Sequence, residues 1–349
     1  MARSYLRLVR PAIELAASAP ASRGSPGTLC VSGPCGRGPH TTHAFSTLLS
    51  YHPPMPTSVA SRSAGKGNEY VLGTGRDESD RLGLQHRLWS GATHKLWEKA
   101  GVHPGMQVLD VGCGPGFAAM DLAQIVGPRG RIVGIDESPT FLKELGEEAK
   151  ARRMTHVERV LGDVQQLEVA IPGSKGAFDL AYVRWVLCFV PRPADVIKGL
   201  AALVKPGGRV AIQDYFNYEH SIKIAPRDAA FERVIAGVAA SFRARGGNPD
   251  IVGDLPGMLL ANGFEISHFD VVQRTARPPA AASCGLVGGD TMWHWPDTFF
   301  RTFAPKLVDQ GFISGAERDA GLAAWDRACA DPAAFVLMPS VFEVVAVRK

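Results

Sequence analysis

The stretch Val108-Leu109-Asp110-Val111-Gly112-Cys113-Gly114-Pro115-Gly116 constrains the fold more than any other, because an apolar run ends in an acid and three glycines follow at alternate positions. A short apolar run that breaks into glycines reads as a buried strand turning sharply into a helix. Glycine reaches backbone conformations closed to other residues and puts no side chain between the chain and a ligand. The spacing Gly-x-Gly-x-Gly differs from the Gly-x-Gly-x-x-Gly of dinucleotide sites, where the backbone approaches a pyrophosphate at a helix start. A carboxylate at the strand end suits an ammonium group, so the loop fits a ligand with an amino-acid portion and no phosphate. The same glycines also serve as a tight strand-to-helix turn in any α/β protein, and the residues downstream separate the two readings.

Arg131-Ile132-Val133-Gly134-Ile135 reads as a second buried strand ending in Asp136 and Glu137, with Asp136 placed 26 positions after Asp110. That is near the spacing expected for an acid holding two ribose hydroxyls. After a third strand, Val157–Leu161, comes Gly162-Asp163-Val164, where a carboxylate can accept from an adenine amino group and a valine can pack on the ring. Acids thus stand at three successive strand ends.

These residues resemble the class I S-adenosylmethionine-dependent methyltransferases, whose motif order the chain follows over roughly residues 70–349. Phe178-Asp179-Leu180-Ala181-Tyr182-Val183-Arg184-Trp185-Val186-Leu187 is similar to the family's fourth strand, and Leu203-Val204-Lys205-Pro206-Gly207-Gly208-Arg209-Val210 to its approach to the fifth. Within the family the chain is most similar to the small-molecule branch that includes ubiquinone- and menaquinone-biosynthesis-type enzymes. The resemblance implies S-adenosyl-L-methionine as cofactor, with Asp110, Gly112, Cys113, Gly114, Gly116, Asp136, Glu137, Asp163, Val164 and Arg184 around it. The guanidinium of Arg184, directly after the fourth strand, can hold a substrate carboxylate or an acid of the cofactor site, or form a structural ion pair. Methylases of bases and amide side chains usually carry Asn/Asp-Pro-Pro-aromatic at this place. Here the chain reads Val183-Arg184-Trp185-Val186, which favours a small diffusible acceptor.

Short β-rich runs alternate with helical patterns from Gly105 to Asp214, which implies βαβ units. The expected fold class is α/β: a Rossmann-like, doubly wound, mainly parallel seven-stranded sheet with its ligand at the carboxyl ends of the strands. Strands are expected near Met106, Arg131, Val157, Phe178 and Gly208, with two more from Gly263 to Val272 and from Val341 to Val347, partly antiparallel. An amphipathic helix from Asp80 to Trp97 leads into the first strand, with Tyr70, Gln85 and Trp89 as candidates to line a cover over the cofactor. In domain terms, residues 1–68 form an extension and 69–349 the catalytic domain. Residues 215–260 and 275–340 are too long for simple connections and read as lid insertions, the first with a helical stretch at Arg227–Arg245. Gly288–Pro296 and Phe299, Phe300 and Phe303 supply apolar surface that can close a pocket or pack a helix on the sheet.

The 349 residues are 46% hydrophobic and carry a formal net charge of +4, but residues 1–66 hold seven Lys/Arg and one acid, Glu14. The remainder is nearly neutral, which argues against nucleic acid as a partner. No apolar run approaches the ~18 residues of a transmembrane helix. Cys30, Cys35, Cys113, Cys188, Cys284 and Cys329 show no metal-ligand spacing and read as thiols of a reducing compartment. Arg3, Arg7 and Arg10 lie at helical spacing in an acid-poor, Ser-rich start, the pattern of an organelle import segment. A mitochondrial location is therefore expected ahead of a plastid one. A disordered tail on a cytoplasmic protein is the alternative.

Methyl transfer from a sulfonium is an in-line displacement that asks for alignment and water exclusion rather than a covalent nucleophile. For an oxygen acceptor a general base would help, and Tyr215, His220 and His294 are the candidates. No Gly-Lys-Ser/Thr loop ending, Gly-x-Ser-x-Gly turn or His-Glu-x-x-His motif points to another chemistry. Two other classes stay open: a non-catalytic S-adenosylmethionine-binding assembly factor of an organelle complex, and a nicotinamide oxidoreductase, which the glycine spacing disfavours. Deleting residues 1–66 should leave cofactor binding intact and move the protein to another compartment, as read by imaging fluorescent fusions of the full and shortened chains.

Overall fold

The computed structural model describes residues 75–279 and 292–349. The expectations for residues 1–68, Tyr70 and Gly288–Thr291 lie outside the described residues. Helix α1 spans Arg76–Lys99, with Asp77 and Glu78 in its first turn and Lys99 in its last, each charge placed to complement the helix dipole. Its buried stripe includes Gln85, His86, Trp89, Thr93, Leu96 and Trp97, at the three- and four-residue steps of a helix face.

The chain then alternates: β1 Gln107–Val111, α2 Phe117–Val126, β2 Arg131–Asp136, α3 Pro139–Ala151, β3 Val157–Leu161, the short α4 Leu167–Ala170, β4 Phe178–Arg184, α5 Pro193–Leu203 and β5 Val204–Tyr215. Ser138 caps α3 by accepting from the Phe141 amide at 3.2 Å, and Pro139 fills the first turn, where its missing N–H costs nothing. The first insertion builds α6 Tyr218–Ser221, β6 Lys223–Ala225, α7 Ala229–Ala244 and α8 Leu255–Ala261. After β7 Phe264–Val272 the second insertion holds β8 Thr275–Ala276, α9 His294–Asp309, α10 Gly315–Ala330 and β9 Phe335–Leu337, before β10 Val341–Arg348 completes the main sheet.

The main sheet has the order β3-β2-β1-β4-β5-β10-β7. Strands β1 to β5 run parallel and β10 lies antiparallel between β5 and β7. This is the expected α/β arrangement, with seven strands and the last two partly antiparallel. Strand order reverses at β1, which has β2 on one side and β4 on the other, so the crevice for a ligand opens beyond the carboxyl end of β1. Strand β5 starts at Val204 rather than near Gly208, and its pairing with β4 slips between Phe178 and Leu180 because the Pro206-Gly207-Gly208 turn interrupts the ladder. A second sheet, β6-β9-β8, joins the two insertions and was not foreseen.

The alternate glycines after β1 all take left-handed φ values, 65° at Gly112, 54° at Gly114 and 91° at Gly116. A Cβ on Gly112 would lie 2.4 Å from Val186 and one on Gly116 2.3 Å from Leu145, so these two glycines admit neighbouring elements. Around Gly114 a Cβ would meet nothing within 4 Å. Gly116→Ala combines left-handed strain with overpacking against Leu145 and should cost about 2–4 kcal/mol of stability, measurable by denaturant unfolding.

Candidate active site

A cavity of about 640 Å³ opens at the carboxyl ends of β1 to β5, within the size range of small-molecule sites. Its lining includes nine of the ten residues expected around a cofactor: Asp110, Gly112, Cys113, Gly114, Asp136, Glu137, Asp163, Val164 and Arg184. Gly116 is not in the lining; its role is the close approach of α3 through Leu145.

Each acid is held differently. Asp136 accepts from the Gly114 amide through Oδ2 and from the Ser138 amide through Oδ1, both at 2.9 Å, and so pins the glycine loop to the end of β2. Burial raises its pKa while these hydrogen bonds favour the charged form. Glu137 is exposed beside it, with a carboxyl raised by partial burial and by the charges of Asp136 and Asp163. Asp163 caps the 3₁₀ turn Val164–Gln166, accepting from the Gln165 amide at 2.8 Å.

Asp110 is fully buried within β1, and burial pushes its pKa up to about 7 against the pull of the Arg184 guanidinium and a hydrogen bond from the Ala119 amide. Its Oδ2 is buried without a partner. Among the described residues four indole nitrogens share that condition, and of their rings only Trp185 lines the cavity. Among fully buried side-chain atoms of the described lining, Asp110 Oδ2 is thus an unmet acceptor and Trp185 Nε1 an unmet donor. Buried polar atoms left unpaired are costly, so both mark places for a ligand.

Beyond Arg184 the cavity changes character. Trp185 stacks on Tyr215 at 6.0 Å and on Trp295 at 6.3 Å, Tyr215 meets Tyr218 edge-on at 5.0 Å, and Tyr218 contacts Phe242 at 5.6 Å. Trp185 holds a left-handed φ of 52°, a strained conformation for a bulky residue and a common one at functional sites. Buried Asp214, raised to about 6 by desolvation, accepts from the amides of Tyr215 and Cys188 and so fixes the end of β5 to the turn after β4. Buried Arg81 lines the cavity, with Glu78 gripping its Nε and Nη2 at 2.8 and 2.6 Å. Gln85 Oε1 accepts from both Arg81 Nη1, at 3.0 Å, and Trp295 Nε1, at 2.9 Å, which sews α9 onto α1.

The three expected bases fare unequally. Tyr215 lines the cavity, but burial holds its phenol well above the ordinary range, so it stays protonated and is suited to donating a hydrogen bond rather than to taking a proton. His220 is exposed on α6 and His294 opens α9, and neither lines the cavity. Gln85 lines the site as expected, whereas Trp89 is packed in the core. Of the expected lid aromatics Trp295, Phe299 and Phe300 line the cavity, and Phe303 belongs to the core. Sequence reasoning missed Arg81, Tyr218 and Asp214. Only Asp214, an acid closing an apolar strand, carried a local signal.

A methyltransferase-domain family matches residues 102–241. Demethylmenaquinone methyltransferase of Lactococcus lactis is 35% identical over 126 residues, covering 36% of this chain and 47% of that protein. The Bacillus cereus enzyme of the same name is 33% identical over 137 residues, covering 38% and 56%. The chain spans about half the length of the curated relatives it matches. Among solved structures, geranyl diphosphate C-methyltransferase from Streptomyces coelicolor aligns with TM-score 0.45 at 17% identity, over 78% of this chain and 84% of that one. The match to a methyltransferase domain takes in the glycine loop and the strand-end acids that line the cavity. Gly114→Ala places a methyl group in the open space before the loop and should weaken S-adenosylhomocysteine binding about tenfold or more while costing only about 1–2 kcal/mol of stability, a contrast calorimetric titration and thermal unfolding would read.

Proposed function

We propose that the protein transfers a methyl group from S-adenosylmethionine to a flat, largely apolar small molecule, with an aromatic quinol as the favoured class of acceptor. The observation that carries this is the division of the cavity. All four carboxylates in its described lining, Asp110, Asp136, Glu137 and Asp163, stand on β1, β2 and the turns after β2 and β3, while the other end is aromatic. The residues fit the cofactor: Asp110 Oδ2 awaits a donor, as an ammonium would supply, and the space before Gly114 admits a ligand against the backbone. When bound, S-adenosylmethionine supplies an electrophilic methyl group on a sulfonium.

The chain's own residues then have three tasks. Asp136 and Glu137 face the position for ribose hydroxyls, and Asp163 and Val164 that for adenine. Trp185, Trp295, Tyr218 and Phe242 exclude water and set the plane of a ring-shaped acceptor. Tyr215, protonated through the neutral range, donates to an oxygen on that ring and fixes which atom faces the methyl group. The names of the relatives, demethylmenaquinone methyltransferases, support a quinol-type acceptor.

Incubation with methyl-labelled S-adenosylmethionine and demethylmenaquinol should transfer label to the quinol, and Tyr215→Phe should lower kcat/KM about tenfold by removing one hydrogen bond. Tight S-adenosylhomocysteine binding with no transfer to any quinol tested would refute the acceptor class. It would also bring the assembly-factor reading forward.

A further inference from the structure

Arg184 does not hold its position alone. Its Nη2 donates to His86 Nδ1 at 3.2 Å and its Nη1 to Thr93 Oγ1 at 3.2 Å, both on α1. His86 Nε2 in turn meets Asp121 Oδ2 on α2 at 3.0 Å. A guanidinium only donates, so His86 Nδ1 must accept, and its proton must sit on Nε2 and point at the Asp121 carboxylate. Only the neutral Nε2–H tautomer satisfies both partners. Burial and the Arg184 charge lower the pKa of His86, in keeping with that form. His86 is 8% exposed, and its ring stacks on Phe117, itself in the cavity lining, at 5.9 Å and 22°. His94 Nε2 meets the same Asp121 Oδ2 at 3.1 Å.

We propose that His86 is a positioning residue for the cofactor site: with Asp121 behind it, it fixes the Arg184 guanidinium in the cavity wall that Asp110 also lines. This rests on the reading of the cavity's acidic end as the S-adenosylmethionine site. Arg184 is the main influence favouring the charged form of Asp110, and that form is the one able to receive an ammonium group. The guanidinium already lies over the ring faces of Tyr182 and Trp185, at 5.9 and 5.2 Å, contacts that set its height but not the direction of its N–H groups; the acceptor at His86 Nδ1 orients Nη2.

Two substitutions separate this role from mere packing, because asparagine offers an acceptor where Nδ1 stood and glutamine offers a donor where Nε2 stood. Titration of the full chain with S-adenosylhomocysteine at pH 8 should show His86→Asn within about threefold of the parent, and His86→Gln and Arg184→Lys each weaker by about tenfold or more. The double variant His86→Gln/Arg184→Lys should be no weaker than Arg184→Lys alone. Thermal unfolding of each variant confirms that the comparison is between folded proteins. Equal affinity for His86→Gln and the parent, or equal losses for the Asn and Gln variants, overturns the role of His86 while leaving the cofactor site standing. Failure of the unaltered protein to bind overturns the cofactor reading and this inference together.

Discussion

Asp110 is a carboxylate with 3% of its surface exposed, set among the apolar side chains of the central strands, and the other charges of the site answer to it. An ionised group in such surroundings is tolerated only where partners replace water. Here the Ala119 amide in the first turn of α2 supplies one hydrogen bond, the field of Arg184 supplies opposite charge, and one oxygen is left open. The dependence spreads outward from there. Arg184 needs Thr93 and His86, so α1, which lies outside the β/α alternation, becomes part of the site. Thr93 and Tyr182 both donate to Gln213, which donates to Glu343 on β10, so one polar chain crosses the sheet beneath the cavity.

Most of the cofactor end was legible in the sequence because its requirements are local. Alternate glycines after an apolar strand need left-handed backbone, and an acid closing a buried strand has few roles other than ligand binding or capping. Strand positions followed from apolar runs, since a doubly covered parallel sheet hides both faces of every central strand. The start of β5 was misplaced because a Pro-Gly-Gly turn reads as a break, while the backbone resumes pairing before it.

The acceptor end was less legible, and for a physical reason. Trp293 and Trp295 stand two residues apart, yet Trp293 stacks on Trp325 of α10 at 4.5 Å and Trp295 faces the cavity. Composition and periodicity mark both as buried and cannot say whether protein or ligand covers them. Arg81 and Tyr218 raise the same difficulty, because what makes them part of a site is a neighbour more than a hundred residues away. The histidines outside the glycine-loop motif misled in the opposite direction: His220 and His294 carry suitable chemistry on the wrong surface, and His86 carries it in the supporting layer.

The position of β10 also bears on how the chain can be made. The sheet reads β5-β10-β7, so the last strand in chain order is an interior one, hydrogen-bonded along both sides. Until Val341–Arg348 leave the ribosome, β5 and β7 each present an unpaired edge. The apolar residues Val341, Val344 and Val345 that will cover the gap are not yet there. Exposed strand edges invite pairing with other chains, and a nascent protein of this layout is vulnerable for as long as the second insertion is being synthesised. Closure of this side of the sheet therefore waits on a strand that follows β7 only after the whole second insertion, so β5 and β7 meet their shared neighbour late in the order of synthesis.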